Sequence, residues 1–283
     1  MPELPEVETI ARALRAGGRG HQGVVGARVA RVEVLWPKSI AEPDAAAFAQ
    51  GLRGAVLAHV GRRGKFLVLA WRTAGFLLVH LRMSGDLVVL ERGDPLPRHT
   101  RWALYFDDGR ALAFDNPRKF GRAWWVDDPQ WVLGRLGPEP LDPALTPEIF
   151  YRRLQKHRRG IKPLLMEQTF LAGLGNIYTD EALHRARIHP QTPAHCLTPT
   201  QAERLLTAIR TVLRAGIAAN GASIDWMYRG GAFQNTFRVY HRQGEPCPVC
   251  GTPIARIRMG GRSTHYCPQC QPLQRCDDGE IGD

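Results

Sequence analysis

The 283-residue chain carries 38 Lys and Arg against 27 Asp and Glu, a formal net charge of +11. So basic a chain is expected to meet a polyanion, nucleic acid ahead of an anionic membrane surface. No stretch approaches the ~20 apolar residues of a membrane-crossing helix, and acidic residues stand where a signal peptide needs a basic start, so the expectation is a cytoplasmic protein with no membrane partner.

In chain order, the first predicted element is a helix over 5–16. Val7, Ile10, Ala11 and Leu14 fall on one face, Pro5 suits a first turn, and Glu3, Glu6 and Glu8 suit the positive end of the helix dipole. The run GGRG at 17–20 ends it. Strand-like segments follow at 65–71, 76–83, 86–90 and 102–114, the last with Asp108-Gly109 between alternating apolar residues, a strong hairpin signal. Several short strands at regular spacing predict a β-sandwich or barrel. The Pro- and Gly-rich LGPEPLDP at 136–143 reads as a linker. Helical periodicity then takes over near 146–157, 162–172, 176–187 and 199–219. Residues 221–236 show no period and read as a loop. These shifts divide the chain into 1–135, the linker 136–143, a helical region 144–237, a cysteine module 238–272 and a tail 273–283.

Four of the six cysteines form the pattern C-x2-C-x16-C-x2-C, namely Cys247, Cys250, Cys267 and Cys270. Each CxxC can set two thiolates on one tight knuckle, and two knuckles complete a tetrahedron around one structural Zn²⁺. Four closed thiolates leave no open position for catalysis. Redox dithiols are the alternative, but their usual βαβ context is missing. Between the knuckles, strand-like pieces flank MGGR and predict a β-hairpin with Arg262 near its tip, where a guanidinium suits phosphate. Cys196 and Cys276 fall outside this pattern. Upstream, FLAGLGNIYTDEAL at 170–183 joins two helical patterns through Gly173, Gly175 and Asn176. A helix starting near Asn176 would aim amides at an anion, and KHRRGIK at 156–162 adds positive charge.

The amino terminus poses its own question. Met1 is normally removed before a small residue, which would leave Pro2 with a free secondary amine. Together, PELPEVET, HLRMSG at 80–85, NPRKFG at 116–121, GLGNIY at 173–178 and the four cysteines resemble formamidopyrimidine-DNA glycosylases, in that family's order and over almost the whole chain. The resemblance implies an α+β multidomain fold: an N-terminal β-sandwich with an N-terminal helix, a helix–two-turn–helix domain and a C-terminal zinc-finger β-hairpin. It implies excision of oxidised purines from damaged double-stranded DNA by a monomer, then strand cleavage by β,δ-elimination.

It also implies roles residue by residue. Pro2 would be the nucleophile, forming a Schiff base with the sugar. An α-amino group starts near a pKa of ~8, so a modest downward shift would free its lone pair. Glu3 would be the general acid, with Glu6 orienting the site. Lys65 matches a lysine of β-elimination and phosphate contact, Arg262 the zinc-finger arginine of phosphate grip and δ-elimination, and Asn176 a phosphate-binding asparagine. Because a damaged base must leave the stack, Met83, Arg118 and Phe120 match the residues that fill the gap. His99, Arg118 and one residue within His157–Arg159, preferably Arg158, match DNA contacts. Lys119 departs from the family's frequent second arginine, and the 221–236 loop departs from its usual sequence. Two other readings stay open: an endonuclease VIII-type enzyme for oxidised pyrimidines, against which Leu4 and NPRKFG speak, and a non-catalytic damage-binding protein.

Overall fold

The computed structural model describes residues 1–72, 75–223, 230–274 and 276. In chain order the elements are α1 (Leu4–Ala16), β1 (Val29–Val34), β2 (Ile40–Glu42), α2 (Ala45–Leu52), β3 (Leu57–Arg63), β4 (Phe66–Trp71), β5 (Phe76–His80), β6 (Asp86–Leu90), β7 (Thr100–Phe106), β8 (Ala111–Asp115) and β9 (Arg122–Val126). They continue with α3 (Gln130–Leu133), α4 (Pro147–Leu154), α5 (Ile161–Leu165), α6 (Asn176–Ala186), α7 (Pro199–Ala218), β10 (Ala255–Met259) and β11 (Arg262–Tyr266). The chain divides into two compact units, Met1–Arg135 with Gly216–Gln234, and Leu136–Ala215 with Asn235–Asp283.

The first unit contains two sheets, one ordered β1-β7-β8-β6 and the other β2-β9-β5-β4-β3. Among the described residues, only the β2–β9 pairing is parallel. Alternation explains how the sheets pack: in β4, Leu67, Leu69 and Trp71 are buried while the residues between them are half-exposed. Leu67, Leu69, Leu77 and Val79 of one sheet meet Trp102, Leu104, Leu112 and Phe114 of the other in a single core. Trp102 anchors that core, with its ring 5.9 Å from Phe48 and 5.3 Å from Phe114. The β-sandwich of the sequence reading is therefore present, and β7 and β8 turn through Asp108 and Gly109, where Gly109 takes φ +90°. Helix α1 buries Val7, Ile10, Ala11 and Leu14 against the same core, and Arg15 donates to the Val60 carbonyl at 2.9 Å.

The second unit is helical and ends in the β10–β11 hairpin. Two elements are shorter than their periodicity suggests. The predicted helix over 146–157 stops at Leu154. The one over 162–172 is only α5, Ile161–Leu165. Here Gln168 competes with the helical backbone: its amide donates to the carbonyls of Met166 and Leu174, both at 2.9 Å, and its oxygen accepts from Gly173 N–H at 2.9 Å. Those three bonds fold 166–174 into a compact turn that leads into α6. The Pro-rich segment at 136–143 packs onto the same turn, with Gly137 N–H on the Gln168 carbonyl and Ala172 N–H on that of Pro138. Part of the 221–236 loop, residues 224–229, lies outside the described residues. Its flanks are knitted by Ser223 N–H to Gln234 Oε1 and Gly231 N–H to Ser223 Oγ, both 2.8 Å. Among the described residues no helix is long and apolar enough to cross a membrane.

Candidate functional site

The amino terminus is built into the protein. Pro2 is buried while Met1 is 39 % exposed. Glu3 takes an extended backbone as the N-cap of α1, and Glu3 and Glu6 form a capping box. Glu6 does more than cap. One of its oxygens accepts Glu3 N–H at 2.8 Å, and the other accepts Ala222 N–H, 216 positions away in sequence, at 2.7 Å. Both carboxylates are 2 % exposed. Gly221 must be glycine here: its φ is +82°, and a Cβ would lie 2.7 Å from Glu6 Oε1.

Lys65 precedes β4 and is 3 % exposed. Next to it in the sheet, Phe66 pairs in register with His80, their rings edge-on at 4.7 Å. Burial, reinforced by the positive charges of Arg82 and Lys65, pushes His80 down to about 3. The imidazole is therefore neutral, and its Nδ1 accepts Arg82 N–H at 3.0 Å, which leaves the proton on Nε2. A neutral ring keeps a second positive charge away from the lysine. Nothing in the linear motif separates this histidine from any buried strand residue.

Met83 and Phe120 are 40 % and 54 % exposed. Large apolar side chains held in water need a reason, and here two turns hold them. Buried Asn116 donates from Nδ2 to the Leu81 carbonyl at 3.3 Å, and Arg118 N–H reaches Ser84 Oγ at 3.4 Å. A Cβ on Gly85 would sit 2.6 Å from the Leu81 carbonyl oxygen, and one on Gly121 would collide with Asn116 and Phe114. The HLRMSG and NPRKFG turns are thus one stitched assembly. Arg118 lies 5.7 Å from the Phe120 ring centre, while Lys119, at φ +60°, places its ammonium 4.1 Å over Trp36. Lys119 is therefore engaged with an aromatic face. His99 is half-buried, and its carbonyl accepts Asn116 N–H at 3.0 Å.

In the second unit, Asn176 opens α6 and donates from Nδ2 to the Ser263 carbonyl at 3.0 Å. Lys162 Nζ donates to the same carbonyl at 3.0 Å and pairs with Asp180 at 2.6 Å. Asp180 also accepts His265 N–H at 2.9 Å. Lys162 and Asp180 are 1 % exposed. This buried pair lashes β11 to α6 and fixes the strand that begins at Arg262. The hairpin turns through Gly260 and Gly261, at φ +53° and +77°, as a two-residue turn with positive φ at both positions requires. Arg262 is exposed at its tip. A cavity of about 520 Å³ beside the hairpin is lined in part by Gln243, Arg256, Arg258 and Ser263. Within 157–159, His157 packs edge-on against Phe170 and Arg159 pairs with Glu167, whereas Arg158 is exposed with no ion pair among the described residues.

The four cysteines converge. Their sulfurs lie within 4.8 Å of one another, with Cys250 to Cys267 at 3.5 Å, Cys250 to Cys270 at 3.4 Å and Cys247 to Cys270 at 3.9 Å. A tetrahedron with Zn–S bonds of ~2.3 Å has sulfur–sulfur edges of ~3.8 Å, so the set fits one structural zinc. Knuckle amides point at sulfur, Val249 N–H at Cys247 (3.5 Å) and Cys270 N–H at Cys267 (3.3 Å). His184 Nε2 lies 3.4 Å from the Cys247 sulfur, and burial pushes this imidazole down to about 4. It is thus a neutral ring within hydrogen-bond reach of a ligand sulfur, placed to orient it. Hydrogen bonds from Thr252 draw Cys250 down to about 6, while burial pushes Cys270 up to about 12. Zinc binding must therefore release protons, and its affinity weakens as the pH is lowered. Glu181 anchors the start of the module: its buried carboxylate accepts the amides of Arg238, Val239 and Tyr240 at 2.9–3.1 Å. His184, Asp180, Glu181 and Lys162 all escaped sequence reasoning. The only hint was a run of polar residues on faces of α5 and α6 that turn out to be buried.

Three family models tile the chain. Residues 1–123 match the formamidopyrimidine-DNA glycosylase N-terminal domain, 136–227 the formamidopyrimidine-DNA glycosylase H2TH domain, and 244–273 the zinc finger found in FPG and IleRS. A formamidopyrimidine-DNA glycosylase of Pelotomaculum thermopropionicum is 44 % identical over 97 % of this chain and its own full length. One of Symbiobacterium thermophilum is 44 % identical over 96 % of this chain and 90 % of its own. Among solved structures, wild-type Lactococcus lactis Fpg bound to DNA containing N7-benzyl-Fapy-dG has 34 % identity and a TM-score of 0.88, covering 96 % of this chain and all of that one. MutM in complex with DNA containing carbocyclic 8-oxo-G has 35 % identity and a TM-score of 0.87, with the same coverage. Matched over 96–97 % of its length by sequence and by fold, this protein belongs to the formamidopyrimidine-DNA glycosylase family.

Proposed function

We infer that the protein is a bifunctional DNA glycosylase and AP lyase that removes oxidised purines, 8-oxoguanine and formamidopyrimidines, from duplex DNA. The observation that carries this reading is the amino terminus: a proline at position 2, buried at the start of α1 beside two capping carboxylates. Once Met1 is removed, the Pro2 nitrogen attacks the sugar C1′ and the damaged base leaves. The product is an iminium ion, which carries its positive charge with no proton on nitrogen and so draws electrons from the sugar for β- and then δ-elimination. Glu3 supplies the proton that opens the deoxyribose ring. Glu6, whose two oxygens are committed to backbone amides, holds this helix start in place. Lys65 serves β-elimination and phosphate contact, and neutral His80 preserves its charge by not competing with it.

The flipped-out nucleotide leaves a gap. Met83 and Phe120 enter the stack as apolar wedges, and Arg118 hydrogen-bonds the orphaned partner base. His99, Arg158 and Asn176 contact the DNA backbone, and Arg262 grips phosphate and assists δ-elimination. The ion held by Cys247, Cys250, Cys267 and Cys270 is structural. The protein acts as a monomer in the bacterial cytoplasm, where its net charge of +11 speeds encounter with DNA.

Borohydride trapping on an 8-oxoguanine:cytosine duplex, with the adduct mapped by mass spectrometry, tests the assignment. The expected result is a single adduct on Pro2, and none in protein verified to retain Met1, which still binds the duplex. Unchanged turnover by the Met1-retaining protein would falsify the nucleophile. Trapping on thymine glycol but not on 8-oxoguanine would move the protein to the pyrimidine-specific class.

A further inference from the structure

Two cysteines lie outside the zinc set, and the fold brings them together. Cys196, at the end of a short 3₁₀ turn, and Cys276, near the carboxyl terminus, are joined as a disulfide with their Cα atoms 5.0 Å apart, within the range such a bond requires. Both are half-buried. His195 Nε2 lies 3.2 Å from the Cys276 sulfur. The pairing has independent support along the tail. Gln271 donates to the Ile188 carbonyl at 2.8 Å, and Gln201 donates to Gln274 at 2.7 Å. Residues 271–274 and Cys276 therefore lie along the helical unit up to the point where the sulfurs meet. The bond closes a loop between positions 80 apart that contains α7 and all four zinc cysteines.

We propose that Cys196 and Cys276 form a peroxide-driven disulfide clasp that holds the zinc module on its helical unit under oxidising conditions. His195 accepts the Cys276 thiol proton, and the resulting thiolate attacks one oxygen of hydrogen peroxide. The O–O bond breaks, the sulfur becomes a sulfenic acid, and the departing hydroxide recovers the proton from His195 as water. The Cys196 thiol then attacks that sulfur, the S–S bond forms, the S–O bond breaks and a second water leaves. Two thiols are oxidised and one peroxide is reduced to two waters. The bond closes six residues beyond Cys270, so it restrains the second knuckle where the chain would otherwise peel away. The clasp engages under the same oxidising conditions that threaten zinc thiolates.

The test uses the full-length zinc-loaded protein, first reduced and then given one equivalent of hydrogen peroxide. The expected result is a cross-linked peptide joining Cys196 to Cys276, a 2 Da mass loss and one zinc per chain retained. Zinc release to a chromophoric chelator should be several-fold slower in the oxidised protein than in the reduced one. Cys276→Ser should abolish the cross-link and the slowing together, and His195→Gln should slow cross-linking at neutral pH. Comparing the wild type with and without reductant needs no variant, so a folding defect cannot mask the answer. The proposal is overturned if peroxide oxidises the zinc cysteines while Cys196 and Cys276 remain open to alkylation, or if the cross-link forms without changing zinc release. It is equally overturned if the reduced protein binds two zinc ions per chain, which would make His195, Cys196 and Cys276 a metal site.

Discussion

The stitched turns that present Met83 and Phe120 and the hairpin that presents Arg262 both hold a protruding side chain still, by opposite means. The turns rest on the large sandwich core, and the buried Asn116 amide together with guanidinium bonds from Arg101 and Arg122 to backbone carbonyls of the NPRKFG turn refines them. Among the described residues, the zinc module that carries the hairpin has a small core of Val239, Cys247, Ile254 and Cys267. A module of that size cannot bury enough apolar surface to define itself, so it depends on a metal, on the Lys162–Asp180 ion pair and on Glu181, a carboxylate that collects three backbone amides. Where packing is plentiful, polar groups only refine geometry; where it is scarce, they carry it.

Breaking the metal site should have the largest effect. Chelating zinc, or Cys247→Ser, is expected to unfold the hairpin and weaken binding to an abasic duplex by orders of magnitude while the sandwich keeps its own melting transition, which calorimetry alongside a duplex titration would resolve. Lys162→Met comes next. It leaves Asp180 buried without its partner, and loss of a buried partner costs about 3–5 kcal/mol. Denaturant unfolding should show that loss, and adding Asp180→Leu should recover part of it. On the sandwich side, Asn116→Ala should cost about 1–3 kcal/mol and slow excision more than it weakens binding to abasic product. Equal losses in both would mean the stitching does not position the wedges.

The smallest effect sharpens the electrostatic half. His80 has its folded pKa lowered to about 3, so the unfolded chain binds the extra proton. Its contribution is complete above the ordinary value near ~6.5 and is lost as pH falls from there toward about 3. Between about pH 7 and about pH 5.5 this amounts to ~1 kcal/mol. Urea unfolding at the two pH values should show that difference in the wild type and a flatter profile in His80→Gln.

Local signals made much of this legible. The caps and apolar stripe of α1, the Asp108-Gly109 turn and the CxxC spacings are written within a few residues of where they act. So are Met83 and Phe120, through their motifs. The α5 boundary was not legible, because Gln168 ends that helix by bonding to backbone it meets only after the turn forms. The Glu6–Ala222, Asn176–Ser263 and Lys162–Asp180 contacts join distant positions, and no periodicity reports them. Cys196 and Cys276 looked scattered for the same reason.

Glu6 also constrains how this sequence can change over time. Its carboxylate is spent on two amides, so Glu6→Gln, though nearly isosteric, would turn one acceptor into a donor facing an N–H. Gly221 leaves no room for the side chain to retreat. Neither position can drift alone. Among relatives, departures at 6 should be found together with departures at 221 and 222, a correlated signature that a single sequence hides.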